Sequence, residues 1–231
     1  MRHLHLPLPG KALLPGHLYL TTGLVIAQTL MLTLDLDGPV QHPLNIVFSV
    51  ALGLLLGRIT GRRGDAWILM AIGIVPALAD LLVPWESAPQ ALNVMKTALW
   101  LAFPLLLAWK IIAWISRLER VTAAEISGAV AGYLLSGVFF ANLYELYALY
   151  IPGAIAWSDA FPPPREFGDY IYFSFVTMTS AGYGDVTPLA PLARMTVVAQ
   201  AIFGLVYMAV LVARFVSQLT TNRLVDEADR I

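Results

Sequence analysis

The chain has 231 residues, of which 58% are hydrophobic and 13% are charged, and its formal net charge is −1. Its mean hydropathy of +0.73 and its low charge content are typical of an integral membrane protein rather than a soluble domain. The absence of cysteine excludes disulfides, thiolate catalysis and cysteine-ligated metal, and the longest basic run, Arg62-Arg63, gives no indication of nucleic-acid binding.

Apolar segments of near-spanning length follow one another along most of the chain. A helix needs about 20 apolar residues to cross a bilayer. On this criterion we predict an all-α membrane protein with six transmembrane helices, at residues 17–34, 41–58, 66–83, 90–116, 123–151 and 191–217. We predict two domains, a four-span N-terminal domain of unknown role at 1–121 and a second domain at 122–231.

The charges of the connecting segments indicate how the helices are oriented. Basic residues concentrate between segments two and three (Arg58, Arg62, Arg63), between four and five (Arg117, Arg120) and in the tail, whereas acidic residues dominate the other connections. The positive-inside rule therefore predicts that both termini are cytoplasmic. The predicted location is the plasma membrane.

Two charged residues of opposite sign lie near the outer ends of segments three and four. Charges within spans are functional candidates, and we predict that Asp80 and Lys96 form an intramembrane pair, as a structural clamp or alternatively as a sensor. Lys96 and Lys110 are the only basic residues inside segment four, whereas steep voltage gating needs 3–4 gating charges per subunit. The sequence therefore does not favour a strong voltage sensor.

Segment five begins with a predicted helix cap. In "TAAE", the Thr122 hydroxyl can accept from a free backbone N–H and Glu125 can reach back, which is the pattern of a capping box. Glu145, near the outer end of the same segment, either braces the outer pore or reaches the lipid headgroups.

Residues 152–190 separate segments five and six. Within them, "DYIYFSFVTMTS" is too short to span a bilayer, and it predicts a re-entrant helix with Asp169 as its N-cap. The following "AGYGD" cannot continue a helix, because glycines 182 and 184 favour dihedrals that helices do not use. Non-helical backbone at membrane depth must line a wet cavity or be buried, and its carbonyls can replace the hydration shell of a cation.

The stretch "TMTSAGYGD" resembles the potassium-channel signature T-x-T-T-[VI]-G-[YF]-G-D, and the resemblance to bacterial single-pore potassium channels covers about 123–218. It implies a homotetramer in the lipid bilayer that conducts potassium ions through a selectivity filter, with no cofactor besides the permeant ion. Ser180 and Ala181 depart from the usual threonine and β-branched residue.

The resemblance also implies roles for single residues. Potassium ions would bind at Ser180, Ala181, Gly182 and Tyr183, and Gly184 would close the outer mouth. Tyr172, Thr177 and Asp185 would support the filter, with Tyr172 donating to Asp185, and Gly204 would be the gating hinge of the inner helix.

Other functions compete with a potassium-selective channel. The two small filter residues leave open a weakly selective cation channel, and the unmatched first four segments leave open a non-conducting sensor or regulatory subunit. An enzyme is not expected: "LLSGVF" lacks the glycine of a G-x-S-G nucleophile motif, and all four histidines lie outside the spans or at their edges.

Overall fold

The computed structural model describes residues 16–33, 41–60, 63–83, 88–115, 123–163 and 166–228. Over these residues the chain forms seven helices and two short strands. The helices are α1 (Gly16–Thr33), α2 (Gln41–Thr60), α3 (Arg63–Leu82), α4 (Gln90–Ile115), α5 (Ala123–Tyr150), α6 (Phe167–Met178) and α7 (Pro191–Ala228). The strands are β1 (Ile155–Trp157) and β2 (Val186–Pro188).

Six of these helices coincide with the six predicted apolar segments. Among the described residues, the windows Gln90–Ala113, Glu125–Tyr150 and Pro191–Arg214 are long and apolar enough to cross a membrane. The apolar stretches His17–Leu32, Ile46–Leu55 and Trp67–Ala79 are shorter, so the count of six spans stays a prediction. Helix α7 extends to Ala228, beyond the predicted end at residue 217.

One hydrophobic core joins the first five helices. Val25 of α1, Leu52 of α2, Leu69 of α3, Leu107 of α4 and Leu135 of α5 are buried in it together. The Thr22 hydroxyl of α1 also donates to the Ser127 carbonyl of α5 at 2.7 Å. The N-terminal helices therefore pack directly against α5 of the same chain.

A second core surrounds α6. It brings together Tyr144 of α5, Ile155 of β1, Phe173 of α6, Val186 of β2 and Ala193 of α7. Strands β1 and β2 pair antiparallel, with Ala156 opposite Thr187. This ribbon joins the chain before α6 to the chain between α6 and α7, so it holds both ends of the stretch that contains α6 and residues 179–185.

The surface of α7 is unlike that of the other long helices. Its apolar window has the highest mean hydropathy of the three, 2.2, yet only 11% of that window is buried in the isolated chain. Exposed side chains along it include Met195, Val198, Ile202, Leu205 and Val212. Water does not stabilise so large an apolar surface, so lipid or other protein chains must cover it.

Candidate functional site: the segment that follows α6

The start of α6 differs from the prediction. The N-cap is Glu166, not Asp169, and the helix begins at Phe167. Asp169 occupies the third helical position, where its carboxylate accepts the backbone N–H of Glu166 at 3.1 Å. The prediction of Asp169 as N-cap was wrong because the chain becomes helical before the apolar run starts, and an acidic side chain serves equally well in the first turn.

The end of α6 is closed by a Schellman motif. The Ser180 N–H donates to the Thr177 carbonyl and the Ala181 N–H donates to the Val176 carbonyl, both at 3.0 Å. Ser180 takes the left-handed position of this motif, with φ of 58°. Glycine usually occupies this position, and a residue with a Cβ is strained there by about 1 kcal/mol.

The backbone beyond α6 alternates in handedness. The angle φ is positive at Ser180 (58°), Gly182 (56°) and Gly184 (82°), and it is not positive at Ala181 and Tyr183 between them. Alternation between right- and left-handed residues brings successive N–H groups to one side of a chain, and it therefore brings the carbonyls to the other. A row of carbonyls on one side is the arrangement that can replace the water around a cation.

This segment is exposed in the isolated chain. Residues 179–184 are all exposed, and Tyr183 keeps 73% of its surface. No titratable cluster competes with the carbonyls as a cation site: among the described residues, no three His, Asp or Glu side chains are grouped to hold a metal ion.

Tyr172 and Asp185 support the segment from the side. The Tyr172 phenol donates to Asp185 Oδ2 at 2.5 Å, and the Val186 N–H donates to Asp185 Oδ1 at 3.0 Å. The rings of Tyr172 and Tyr183 are nearly parallel, 10° apart in orientation, with centroids 6.4 Å apart. The hydrogen bond from Tyr172 to Asp185 that the resemblance implies is therefore present, and the Tyr183 ring lies beside that of Tyr172. That these residues support a filter stays a prediction.

The carbonyl of Asp185 connects the segment to the ribbon. It accepts the Ser158 N–H at 2.9 Å, immediately before β2 pairs with β1. Thr177, the third predicted support residue, is buried in the last turn of α6 and contributes its carbonyl to the Schellman motif.

Gly204 lies against the end of α6. A Cβ at this position would come within 2.2 Å of the Met178 carbonyl oxygen, which is closer than real Cβ atoms approach. The lack of a side chain therefore permits close approach of α7 to the last residue of α6. Helix α7 is continuous through this point, and the hinge role of Gly204 stays a prediction.

A buried polar group that the sequence analysis did not identify connects the helices behind this segment. Gln200 of α7 donates to Ser174 of α6, and Tyr144 of α5 donates to Gln200. The available signal was a single amide in the apolar stretch "VVAQAIFGLV", since a polar residue in such a helix needs a partner.

The other predicted charges are only partly described. Lys96 is fully buried and its Nζ donates to the Val83 carbonyl at 2.7 Å, at the end of α3. The side chain of Asp80 lies outside the described part of the structure, so its pairing with Lys96 stays a prediction. Thr122 of the predicted capping box, and the basic residues Arg117 and Arg120, also lie outside it.

The comparisons with known proteins address the part of the chain that contains this site. No curated protein matches the sequence. Residues 129–221 match the family model described as "Ion channel", from within α5 to within α7. Together with the apolar helices, this match supports a membrane-embedded, multi-pass protein. The pore-loop resemblance is thereby confirmed in its general form: residues 129–221 are similar to the pore region of ion channels.

Proposed function

We propose that the chain is a potassium-selective channel that conducts passively through a filter formed by Ser180, Ala181, Gly182, Tyr183 and Gly184. The observation that carries this proposal is the alternating sign of φ at positions 180 to 184, directly after a short helix. Potassium-selective filters replace the water around the ion with rings of backbone carbonyls. A backbone carbonyl is present whatever the side chain, so Ser180 and Ala181 can supply one as well as the usual residues can. The match to ion channels supports transport and not catalysis.

The proposed assembly is a homotetramer. One carbonyl row supplies one side of a cage, so several copies must meet on a common axis. The exposed filter and the largely exposed apolar surface of α7 support such an assembly, because copies of the chain would cover what the isolated chain leaves open.

Each filter residue has a proposed role toward potassium. Ser180 contributes its hydroxyl and carbonyl to the innermost site, Ala181, Gly182 and Tyr183 contribute carbonyls above it, and Gly184 closes the outer mouth. The C-terminus of α6 adds a partial negative charge of roughly half a unit per chain, which favours a cation near the inner end of the filter. No cofactor is proposed.

The remaining proposals concern the setting of the pore. We propose the plasma membrane as its location, with both termini cytoplasmic, and a pore domain at 122–231 that follows a four-span domain at 1–121. The core shared by α1 to α5 supports a mechanical connection between these two parts.

Purified protein reconstituted in liposomes tests the proposal. Under opposed potassium and sodium gradients, we expect a reversal potential close to the potassium equilibrium potential. The conducting species should have a protein mass of about 100 kDa, four times 25.2 kDa. Ser180→Ala should weaken potassium occupancy at the inner site, because it removes one ligand per chain while keeping the Cβ and its backbone strain.

The second candidate is a weakly selective cation channel. The observation that favours it is the small size of Ser180 and Ala181. Both side chains are exposed in the isolated chain, so packing within the chain does little to hold this part of the backbone in place. A reversal potential near zero under the same gradients would replace the first candidate by the second, and the absence of any cation flux would indicate a non-conducting subunit.

A further inference from the structure

Gln200 is a fully buried amide in an apolar part of α7. Between Val197 and Val206, all residues except Gln200 are apolar. Burying an amide without partners costs about 1–3 kcal/mol on protein mutational scales. Its presence here therefore depends on the groups that face it, and these belong to two other helices of the same chain.

All polar atoms of the Gln200 amide have partners. Its Nε2 donates to Ser174 O at 3.0 Å and to Ser174 Oγ at 2.8 Å, and its Oε1 accepts the phenol hydrogen of Tyr144. The Ser174 hydroxyl in turn donates to the Gly137 carbonyl at 2.7 Å. Gln200, Ser174 and Tyr144 are each fully buried, so water does not compete for these bonds.

The position of this network relates it to the filter. Gln200 lies one turn before Gly204 on α7, and Ser174 lies one turn before Met178 on α6. Gly204 approaches the Met178 carbonyl so closely that a Cβ would not fit. The two helices therefore contact each other at two successive turns, Gln200 with Ser174 and Gly204 with Met178. The proposed filter begins directly after the second contact.

We propose that Gln200 is a positioning residue that couples the inner helix α7 to the pore helix α6 and thereby sets how long the filter remains conducting. This inference rests on the proposed channel function and assigns a regulatory role within it. When α7 shifts, the bonds to Ser174 carry the shift to α6 and to the backbone of Ser180 beyond it. Without them, α6 keeps only apolar contacts with α7 at this level and the filter is held less firmly.

The test is the duration of conducting bursts of single channels in planar bilayers at constant voltage. A buried neutral hydrogen bond is worth about 0.5–1.5 kcal/mol, so Gln200→Leu should shorten the bursts by roughly threefold to tenfold. Ser174→Ala removes the bond to Ser174 Oγ but keeps the bond to the Ser174 backbone carbonyl, so it should shorten the bursts by a smaller factor. The double variant should fall short of the product of the two single effects, because both substitutions remove the bond to Ser174 Oγ. If Gln200→Leu assembles poorly, Gln200→Leu combined with Tyr144→Phe leaves no phenol without a partner and repeats the measurement.

Tyr147→Phe is the matched control. The Tyr147 hydroxyl lies 2.9 Å from Thr196 Oγ1, so this bond also joins α5 to α7, one turn from Gln200, but it does not include α6. We expect Tyr147→Phe to lower thermal stability of the tetramer while leaving burst duration unchanged. Equal burst durations in the Gln200→Leu variant and the wild type, or equal shortening by Tyr147→Phe, would overturn the coupling role.

The reversal potential of the wild type separates this proposal from the channel proposal. Burst duration is measured with whichever monovalent cation passes, so a channel that also conducts sodium would overturn potassium selectivity and still test Gln200. A wild type that passes no cation overturns both proposals.

Discussion

At the scale of single residues, Ser180 connects two demands on the filter. Its left-handed backbone closes α6, and its hydroxyl is a proposed ligand of the innermost ion site. A β-branched residue is disfavoured at positive φ more than serine is. The unbranched side chain therefore reduces strain at the helix end, while the ligand that the site needs is retained.

Ala181 is smaller than the β-branched residue of the potassium-channel signature, and the space beside it is either left empty or filled by Phe173 and Phe175. The Phe173 ring packs against Tyr144, with centroids 4.6 Å apart, and the Phe175 ring occupies the space that a Cβ of Gly137 would need. Both aromatic rings therefore pack toward α5. Whether these rings also fill the space beside Ala181 stays a prediction.

The bond between Tyr172 and Asp185 gives the first prediction at this scale. Tyr172→Phe removes the donor and leaves Asp185 Oδ2 without its 2.5 Å partner, while Oδ1 keeps the Val186 N–H. We expect a loss of about 0.5–1.5 kcal/mol of filter stability, and a faster decline of conduction during sustained opening.

Tyr150→Phe serves as its control, because Tyr150 is an exposed phenol at the end of α5. Single-channel recordings of both variants against the wild type make the comparison. A decline that is the same in all three proteins would show that the bond does not hold the filter.

At the scale of elements, the sequence predicts where the long helices lie better than it predicts the residues at which helices begin and end. Apolar runs of spanning length predict both ends of α4 and α5 and the start of α7 to within a few residues, because a helix satisfies every backbone polar group inside a bilayer. The end of α7 lies beyond the predicted end at residue 217, in a polar stretch that the apolar pattern does not cover. The cap of α6 was misplaced by three residues, because Glu166 and Asp169 form a reciprocal capping box, and either acidic residue can serve as a cap in the sequence pattern.

The pairing of β1 with β2 was not predicted. Three-residue strands are too short to show a periodic pattern. The register of β1 and β2 depends on how the intervening chain, which includes α6, brings them together. The Gln200 network was missed for a related reason: Ser174 and Tyr144 become its partners only when three helices meet, and their sequence spacing does not indicate this.

Gly204 gives a prediction at the same scale. In Gly204→Ala, the Cβ would collide with the Met178 carbonyl at 2.2 Å, so α7 must move away from α6. Overpacking of this kind costs about 1–3 kcal/mol, and we expect a lower thermal midpoint of the tetramer. A residue that served only as a hinge would instead tolerate alanine, or gain stability from its higher helix propensity.

Gly23→Ala is the matched control for this measurement. A Cβ at Gly23 in α1 would meet nothing within 4 Å, so the same substitution should be neutral or stabilising by about 0.5–1 kcal/mol there. Equal thermal midpoints for Gly204→Ala and Gly23→Ala would contradict the packing role.

At the scale of the whole molecule, the first four helices and the pore form connected cores within one chain. Leu69 and Leu107 share a core with Leu135 of α5, and Tyr207 of α7 donates to the Ala129 carbonyl of α5 at 2.6 Å. Helix α5 therefore connects the described N-terminal helices to α7 of the proposed pore.

The response to voltage is the prediction at this scale. The basic side chains of α4 are Lys96, whose Nζ is held by the Val83 carbonyl, and Lys110, which lies 5.7 Å from the centre of the Trp109 ring. Moving one charge fully across 100 mV is worth about 2.3 kcal/mol, and these two cannot both move far. Conductance should therefore change shallowly with voltage, and Lys110→Gln should alter its slope little. A slope that requires 3–4 charges per subunit would refute this.

The two ends of the filter are attached by different kinds of bond, and this difference sets the order in which the filter comes apart. At the inner end, the amides of Ser180 and Ala181 belong to the backbone hydrogen bonds of α6, and they open only when the helix end frays. At the outer end, Asp185 is held by a backbone bond from the Ser158 N–H and by the Tyr172 side chain, and water can replace the half-buried side-chain contact more readily than the bonds of a helix. If these residues form the proposed filter, we expect loss of its structure to begin at the outer mouth and to proceed inward, so that the innermost ion position is the last to disappear.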